Sequence, residues 1–171
     1  MSTIPFRLEQ LRPEHDRKMF RCGQDALDRH FRTQATQDMR RCVANCFVAI
    51  ETSGGMVAAY YRLSAASIPL LDLSEEETKR MPRYPTLPAV GIGRLAVDEK
   101  FQGRGLGAAL LADAARRTIQ GDAAAFALLV DAKDDRAVAF YRRLGFGRWS
   151  ATRGHWSFLL QPRQKPCLAE V

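Results

Sequence analysis

The stretch Val90 to Ile119, VGIGRLAVDEKFQGRGLGAALLADAARRTI, constrains this chain more than any other. It reads as a strand, a tight glycine-rich turn and a helix. Ile92, Leu95 and Val97 are the apolar strand formers of Val90–Val97. Leu106, Leu110 and Ala114 recur every four residues, which puts them on one helical face. Between them, Gln102-Gly103-Arg104-Gly105-Leu106-Gly107 carries three alternate glycines. Glycine reaches backbone conformations closed to residues with a Cβ and lets a ligand approach closely. The first amides of a helix lack intrahelical partners and carry the positive end of its dipole. A turn of this kind is built to hold a phosphate or pyrophosphate.

Two common phosphate loops do not fit. A nucleotide-triphosphatase loop ends in Gly-Lys-Ser/Thr, whereas Gly107 is followed by Ala108-Ala109. A dinucleotide fingerprint is Gly-x-Gly-x-x-Gly near the first strand, with an acidic residue about 20 residues on. Here the pattern is Gly-x-Gly-x-Gly, and it stands mid-chain.

The rest of the chain reads as one α/β domain, residues 1–171, with a loose polar tail from Pro162. Residues 4–11 alternate loosely and predict a first strand, and His15 to Phe20 a short helix after Pro13. Gln24 to Arg40 predicts a longer helix with Leu27, Phe31 and Ala35 on one face and Arg29, Arg32, Arg40 and Arg41 on or beyond the other. Val43–Glu51 and Met56–Ser67 pair as strands about Ser53-Gly54-Gly55. Pro69 to Pro88 is a proline-bearing loop with a short helix capped by Ser74. Ala124–Val130 is a continuous apolar run, as in a strand covered on both faces. Asp134 or Asp135 caps a helix over Arg136–Leu144, stopped by Gly145, whose stripe is Ala137, Phe140, Tyr141 and Leu144. Phe146–Ser150 and His155–Gln161 close the domain as strands.

Charge and cysteine content bound the setting. The net charge is +7. From Lys133 to Lys165 stand eight basic residues, including Arg142, Arg143, Arg148 and Arg153, and two acidic ones. Such a field suits a polyanion, most simply nucleic acid, or is a solvated basic surface with no partner. No apolar run approaches the roughly 20 residues of a membrane helix, and the N-terminus has no signal-peptide core, so a cytoplasmic protein without membrane attachment is expected. Cys22, Cys42, Cys46 and Cys167 lack metal-knuckle spacing and read as plain buried or partly buried thiols, with no metal expected. His15, His30 and His155 each stand alone and read as surface or structural residues; Trp149 and Trp156 read as core or interface.

Gln/Arg-x-x-Gly-x-Gly/Ala after a Leu-Ala-Val strand resembles the acetyl-CoA site of the GCN5-related N-acetyltransferase (GNAT) superfamily, and Gln102–Gly107 fits it at every specified position. A later helix of that superfamily carries Ala-x-x-Phe-Tyr-x-x-x-Gly-Phe, which stands here as Ala137 to Phe146, about 35 residues downstream. His15-Asp16-Arg17 with Phe20, Cys22-Gly23 and Leu27-Asp28; Tyr60 to Ser64; and Arg83-Tyr84-Pro85, Pro88 and Gly93 to Asp98 narrow the likeness to the acetyltransferase toxins of bacterial toxin–antitoxin modules. The resemblance covers about residues 6 to 160.

That resemblance implies a GNAT fold: a mixed, mostly antiparallel sheet of about six to seven strands, about four flanking helices and a splayed central strand pair at the acetyl-CoA site. It implies a toxin that acetylates the α-amine of aminoacyl-tRNA and stops translation, a homodimer, and a ribbon-helix-helix antitoxin partner. Acetyl-CoA is the implied co-substrate. Its pyrophosphate would lie on the amides of Gly103, Arg104, Gly105, Leu106 and Gly107 beside Gln102, and its pantetheine against the backbone of Leu95, Ala96 and Val97 as an added strand would. Phe140 lines the same site, and an amide of the strand would stabilise the tetrahedral oxyanion.

Tyr141 is the expected acid. A phenol is protonated at neutral pH and donates to a leaving thiolate; by periodicity alone the same residue reads as core. No carboxylate stands between Val90 and Val97 to act as base. An α-amine with pKa near 8 needs one less than a lysine amine near 10.4 does, which leans towards an α-amine acceptor. Arg94, Arg142, Arg143, Arg148 and Arg153 are candidate RNA contacts by charge. An acetyltransferase of a small amine or protein N-terminus is the alternative, and a non-catalytic acyl-CoA-binding module a third reading.

Overall fold

The computed structural model describes residues 6–150 and 156–160. Arg153, His155, Cys167 and the tail from Pro162 lie outside the described residues. The chain divides into two compact units, residues 1–64 with 93–114 and residues 65–92 with 115–171. Each holds its own stretch of sheet.

In the first unit, β1 (Phe6–Gln10), β2 (Asn45–Glu51) and the first half of β3 (Val57–Pro69) form an antiparallel meander, with Leu8 opposite Ala49 and Val48 opposite Tyr60. The second half of β4 (Thr86–Val97) is the fourth strand, and Asp98 N donates to Ala58 O at 2.8 Å just beyond its end. The predicted helix over residues 24–40 is two: α1 (Asp25–Thr33) and α2 (Ala35–Arg40). Gln34 lies between them at φ −115°, ψ −28°, so the chain re-aims without unravelling. The predicted stripe still packs, because Leu27, Phe31 and Ala35 are all buried.

Phe31 is the centre of this core. Its ring stacks on Tyr60 at 4.1 Å between centroids and meets Phe20 edge-on at 4.9 Å. Tyr60 is also fully buried, and its hydroxyl donates to Leu27 O at 2.9 Å, so the polar atom is satisfied. Residues 15–20, expected as a helix, form turns instead. Side chains hold them in place of helical bonds: Lys18 N donates to Asp16 Oδ1, Arg17 Nη1 to Phe31 O, and the Arg32 guanidinium to Phe20 O. Polar groups that bond nearby backbone compete with helix in this way.

In the second unit, the remaining halves of β3 and β4 lie beside β5 (Ala127–Ala132), β7 (Trp156–Leu160) and β6 (Gly147–Ser150), in that order. β4 and β5 are parallel, Ala89–Ile92 against Ala127–Val130. β5 and β7 are antiparallel, as are β6 and β7. A parallel neighbour needs a crossover, and α4 (Leu106–Gln120) supplies it. As expected from its unbroken apolar run, β5 buries Ala127, Leu128, Val130 and Ala132. The loop helix α3 (Glu75–Thr78) has the predicted Ser74 cap, with the Glu77 side chain returning to Ser74 N. Asp134 caps α5 (Asp135–Arg143), its Oδ1 accepting from Ala137 N at 2.8 Å, and Gly145 ends it at φ 93°.

The β4–β5 register ends at Ile92, and two residues on Arg94 takes φ 61°. A non-glycine residue there marks a break in a strand and costs about 1 kcal/mol or more. Of the cysteines, Cys46 is buried and Cys22 half-buried, but Cys42 is exposed, contrary to expectation, because its turn at φ 56° stands clear of the core.

Candidate active site

The first unit carries the loop half of the predicted site. Gly103 and Gly105 have φ of 75° and 77°, so two of the three glycines take the left-handed conformation the sequence suggested. Gly107 does not need it: it lies in the first turn of α4. A Cβ built at Gly103 or Gly105 would meet nothing within 4 Å, so open space stands over the turn. The first bond of α4 runs from Ala109 N to Gly105 O at 3.1 Å. The amides of Leu106, Gly107 and Ala108 therefore have no acceptor four residues back, and they stand at the positive end of a 15-residue helix. Open space over oriented amides is what a pyrophosphate needs, and the turn fits the diphosphate of a coenzyme A thioester. Leu106 is itself buried and anchors the helix from below.

The Gln102 side chain is engaged within the protein. Its Nε2 donates to Val97 O at 3.0 Å and to Cys22 O at 3.1 Å, so it braces the turn against the end of β4 and the segment before α1. Asp98, to which the sequence assigned no role, is the second brace. It is 3% exposed, and its two oxygens accept from Arg21 N at 2.9 Å and Lys100 N at 3.0 Å. An aspartate heading the short 3₁₀ turn Glu99–Phe101 was the available signal. Arg104 is exposed, with its guanidinium 5.7 Å over the Phe101 ring.

On β4, Leu95 and Val97 are half-buried, and Ala96 packs into the core with Phe31 and Tyr60. The Ala96 side chain thus belongs to the core, and only its backbone remains for a ligand. Close by, His30 of α1 is buried, its Nδ1 3.1 Å from Gln34 Oε1 and its Nε2 3.7 Å from Asp38 Oδ2. Arg62 of β3 reaches the same Asp38 oxygen at 3.3 Å. His30 Nε2 and Arg62 Nε are buried without a hydrogen-bond partner. Burial, the first cause, lowers the His30 pKa, with Arg94 and Arg62 adding to it against Gln34 and Asp38. His30, Gln34 and Asp38 stand four residues apart in the sequence, the spacing of one helical face.

The second unit carries Phe140 and Tyr141 on α5. The Tyr141 ring lies 5.5 Å from Phe140 and 5.6 Å from Phe146, and the residue is half-buried. Burial, then Asp131 and Asp134, raises its pKa. The phenol is therefore held in its proton-bearing form at any physiological pH. Arg142, Arg143 and Arg148 are exposed in the same unit. Among the described residues no group of three or more His, Cys, Asp or Glu could hold a metal, and no helix is long and apolar enough to cross a membrane.

A glycine turn at the head of a crossover helix, following an interrupted strand, is the arrangement of an acyl-CoA-dependent transferase. Residues 43–148 match the family model of the acetyltransferase (GNAT) domain, and the chain belongs to that family. It is 36% identical to a tRNA-acetylating toxin of Mycobacterium tuberculosis over 129 residues, 74% of this chain and 75% of that one. Among solved structures it is similar to AtaT complexed with acetyl-methionyl-tRNAfMet, with TM-score 0.85 and 26% identity over 92% of this chain and 95% of that one. It is also similar to AtaTR bound with AcCoA, with TM-score 0.75 and 26% identity over 92% and 94% of the two chains. The fold is the GNAT fold, and the activity of the family is acyl transfer.

Proposed function

We propose that this chain is a toxin that transfers the acetyl group of acetyl-CoA to the α-amine of an aminoacyl-tRNA and so blocks translation. The observation that carries the reading is the Gly103–Gly107 turn, with two left-handed glycines at the head of α4, in a chain over a third identical to a tRNA-acetylating toxin. The amides from Gly103 to Gly107 bind the pyrophosphate. The backbone of Leu95 to Val97 aligns the pantetheine, and one of its N–H groups donates to the oxyanion as the amine nitrogen bonds to the thioester carbon. Tyr141 gives its phenolic proton to the departing sulfur as the C–S bond breaks, the amine's own proton goes to solvent, and solvent returns a proton to the phenolate. With no carboxylate between Val90 and Val97, the reading suits an α-amine, whose pKa near 8 leaves much of it neutral.

Exposed Arg142, Arg143 and Arg148, with Arg94, supply the positive surface for the RNA. The 171-residue chain acts in this reading as one acetyltransferase domain in the cytoplasm, as a homodimer neutralised by a ribbon-helix-helix antitoxin. The test is expression in a bacterial host: growth arrest is expected, with relief by Tyr141→Phe. Unimpeded growth with accumulated, folded protein would count against a toxin.

A further inference from the structure

Two arginines of the first unit, Arg62 and Arg94, lie near the same buried histidine, and a carboxylate pairs with the first of them. The bonds Asp98 N to Ala58 O and Leu70 N to Pro85 O run β3 and β4 antiparallel, which puts Arg62 and Arg94 on neighbouring strands. Both guanidinium groups lie close enough to His30 to disfavour its protonation. Asp38 is the carboxylate that faces them, and it is already engaged by Arg62. Arg94 is exposed, and among the described residues its side chain makes no hydrogen bond or ion pair. Its φ of 61° turns it out of the strand's regular alternation, immediately before the backbone of Leu95–Val97.

The cluster is also short of acceptors. Arg62 Nε and His30 Nε2 are buried and unpartnered, and His30 is 3% exposed. Native folds leave few such groups. With His30 neutral, two guanidiniums against one carboxylate leave a net positive charge. Planar guanidinium forks on neighbouring strands suit a phosphate oxygen pair.

We propose that Arg62 and Arg94 form a phosphate subsite for the acceptor, taking the last internucleotide phosphodiester of the charged RNA, with Asp38 and His30 as positioning residues that aim Arg62. This rests on the aminoacyl-tRNA reading and adds to it where the RNA end is gripped. The grip is on a phosphate, so it is independent of the base and of the amino acid. It lies next to the strand that aligns the thioester, so it fixes how far the amine can reach.

The test compares two acceptors carrying the same amino acid, an intact aminoacyl-tRNA and the 3′-O-aminoacyl-adenosine that lacks phosphate. Arg62→Gln and Arg94→Gln are expected to lower the ratio of kcat/KM on the first to that on the second by about tenfold each. They should also flatten the dependence of log KM for charged tRNA on log salt by about 0.7 to 1. Asp38→Asn should move the ratio the same way by less. An unchanged ratio in both arginine variants overturns the subsite. A check on the unmutated chain needs no variant to fold: adenosine 5′-monophosphate should compete with charged tRNA about tenfold better than adenosine does. Equal competition overturns the subsite as well. An unmutated chain that acetylates no charged tRNA fails the functional reading itself and is told apart by that first measurement.

Discussion

At the scale of single residues, Tyr141 and His30 give opposite lessons about burial. Burial raises the tyrosine and lowers the histidine, because in each case it disfavours the charged form. For Tyr141 the consequence is chemical. A phenol held protonated can serve as the proposed acid, and Tyr141→Phe removes its proton while leaving the ring beside Phe140 and Phe146. Initial rates with saturating acetyl-CoA should fall by about 10²–10⁴, with coenzyme binding by calorimetry unchanged. Retained turnover would assign Tyr141 to the core. For His30 the consequence is stability. Its folded pKa lies below its unfolded one, so the unfolded chain binds the extra proton in the interval between them. Stability is full above the unfolded value of about 6.5 and falls as pH drops through it. Thermal melting at pH 7.5 and 5.5 should show the loss in the unmutated chain and a smaller one in His30→Gln.

At the scale of elements, the glycine turn is held in place by side chains that bond the neighbouring backbone. Gln102 ties it to Val97 and Cys22, and Asp98 ties its base to Arg21. Ala at Gly103 or Gly105 meets no steric neighbour, so its cost is conformational, about 1–2 kcal/mol, and falls on the turn. Each variant should raise KM for acetyl-CoA by about fivefold to thirtyfold at nearly unchanged kcat, read from steady-state rates; an unaffected KM would remove the turn from coenzyme binding. Asp98→Ala strips two part-buried backbone amides of their acceptor and should lower stability by about 1–3 kcal/mol in chemical denaturation.

The strand–turn–helix, the Asp134 cap and the Ser74 capping box were legible because each is a local pattern with a local cause. The break at Gln34 was not, since Leu27, Phe31 and Ala35 keep helical spacing across it. The failed helix at residues 15–20 has a similar cause. Its bonds go to Phe31 and Arg32, partners distant in sequence that no local window contains. The His30, Asp38 and Arg62 cluster joins two helices and a strand, and only the fold brings them together.

At the scale of the whole molecule, the uneven charge and the GNAT architecture converge on an anionic macromolecular acceptor. Net charge is +7, with the excess gathered in the last third of the chain. Acetylation of charged tRNA should therefore weaken steeply with salt, while transfer to a small amine should not. The architecture alone does not choose the acceptor, because a fold supports many chemistries and the site decides between them. The decisive measurement follows isotopically labelled acetyl-CoA with charged tRNA, free amino acids and peptides in parallel. The account predicts label on the α-amine of the amino acid esterified to tRNA, recovered as N-acetyl amino acid after mild base. Label confined to peptides or free amino acids would contradict it.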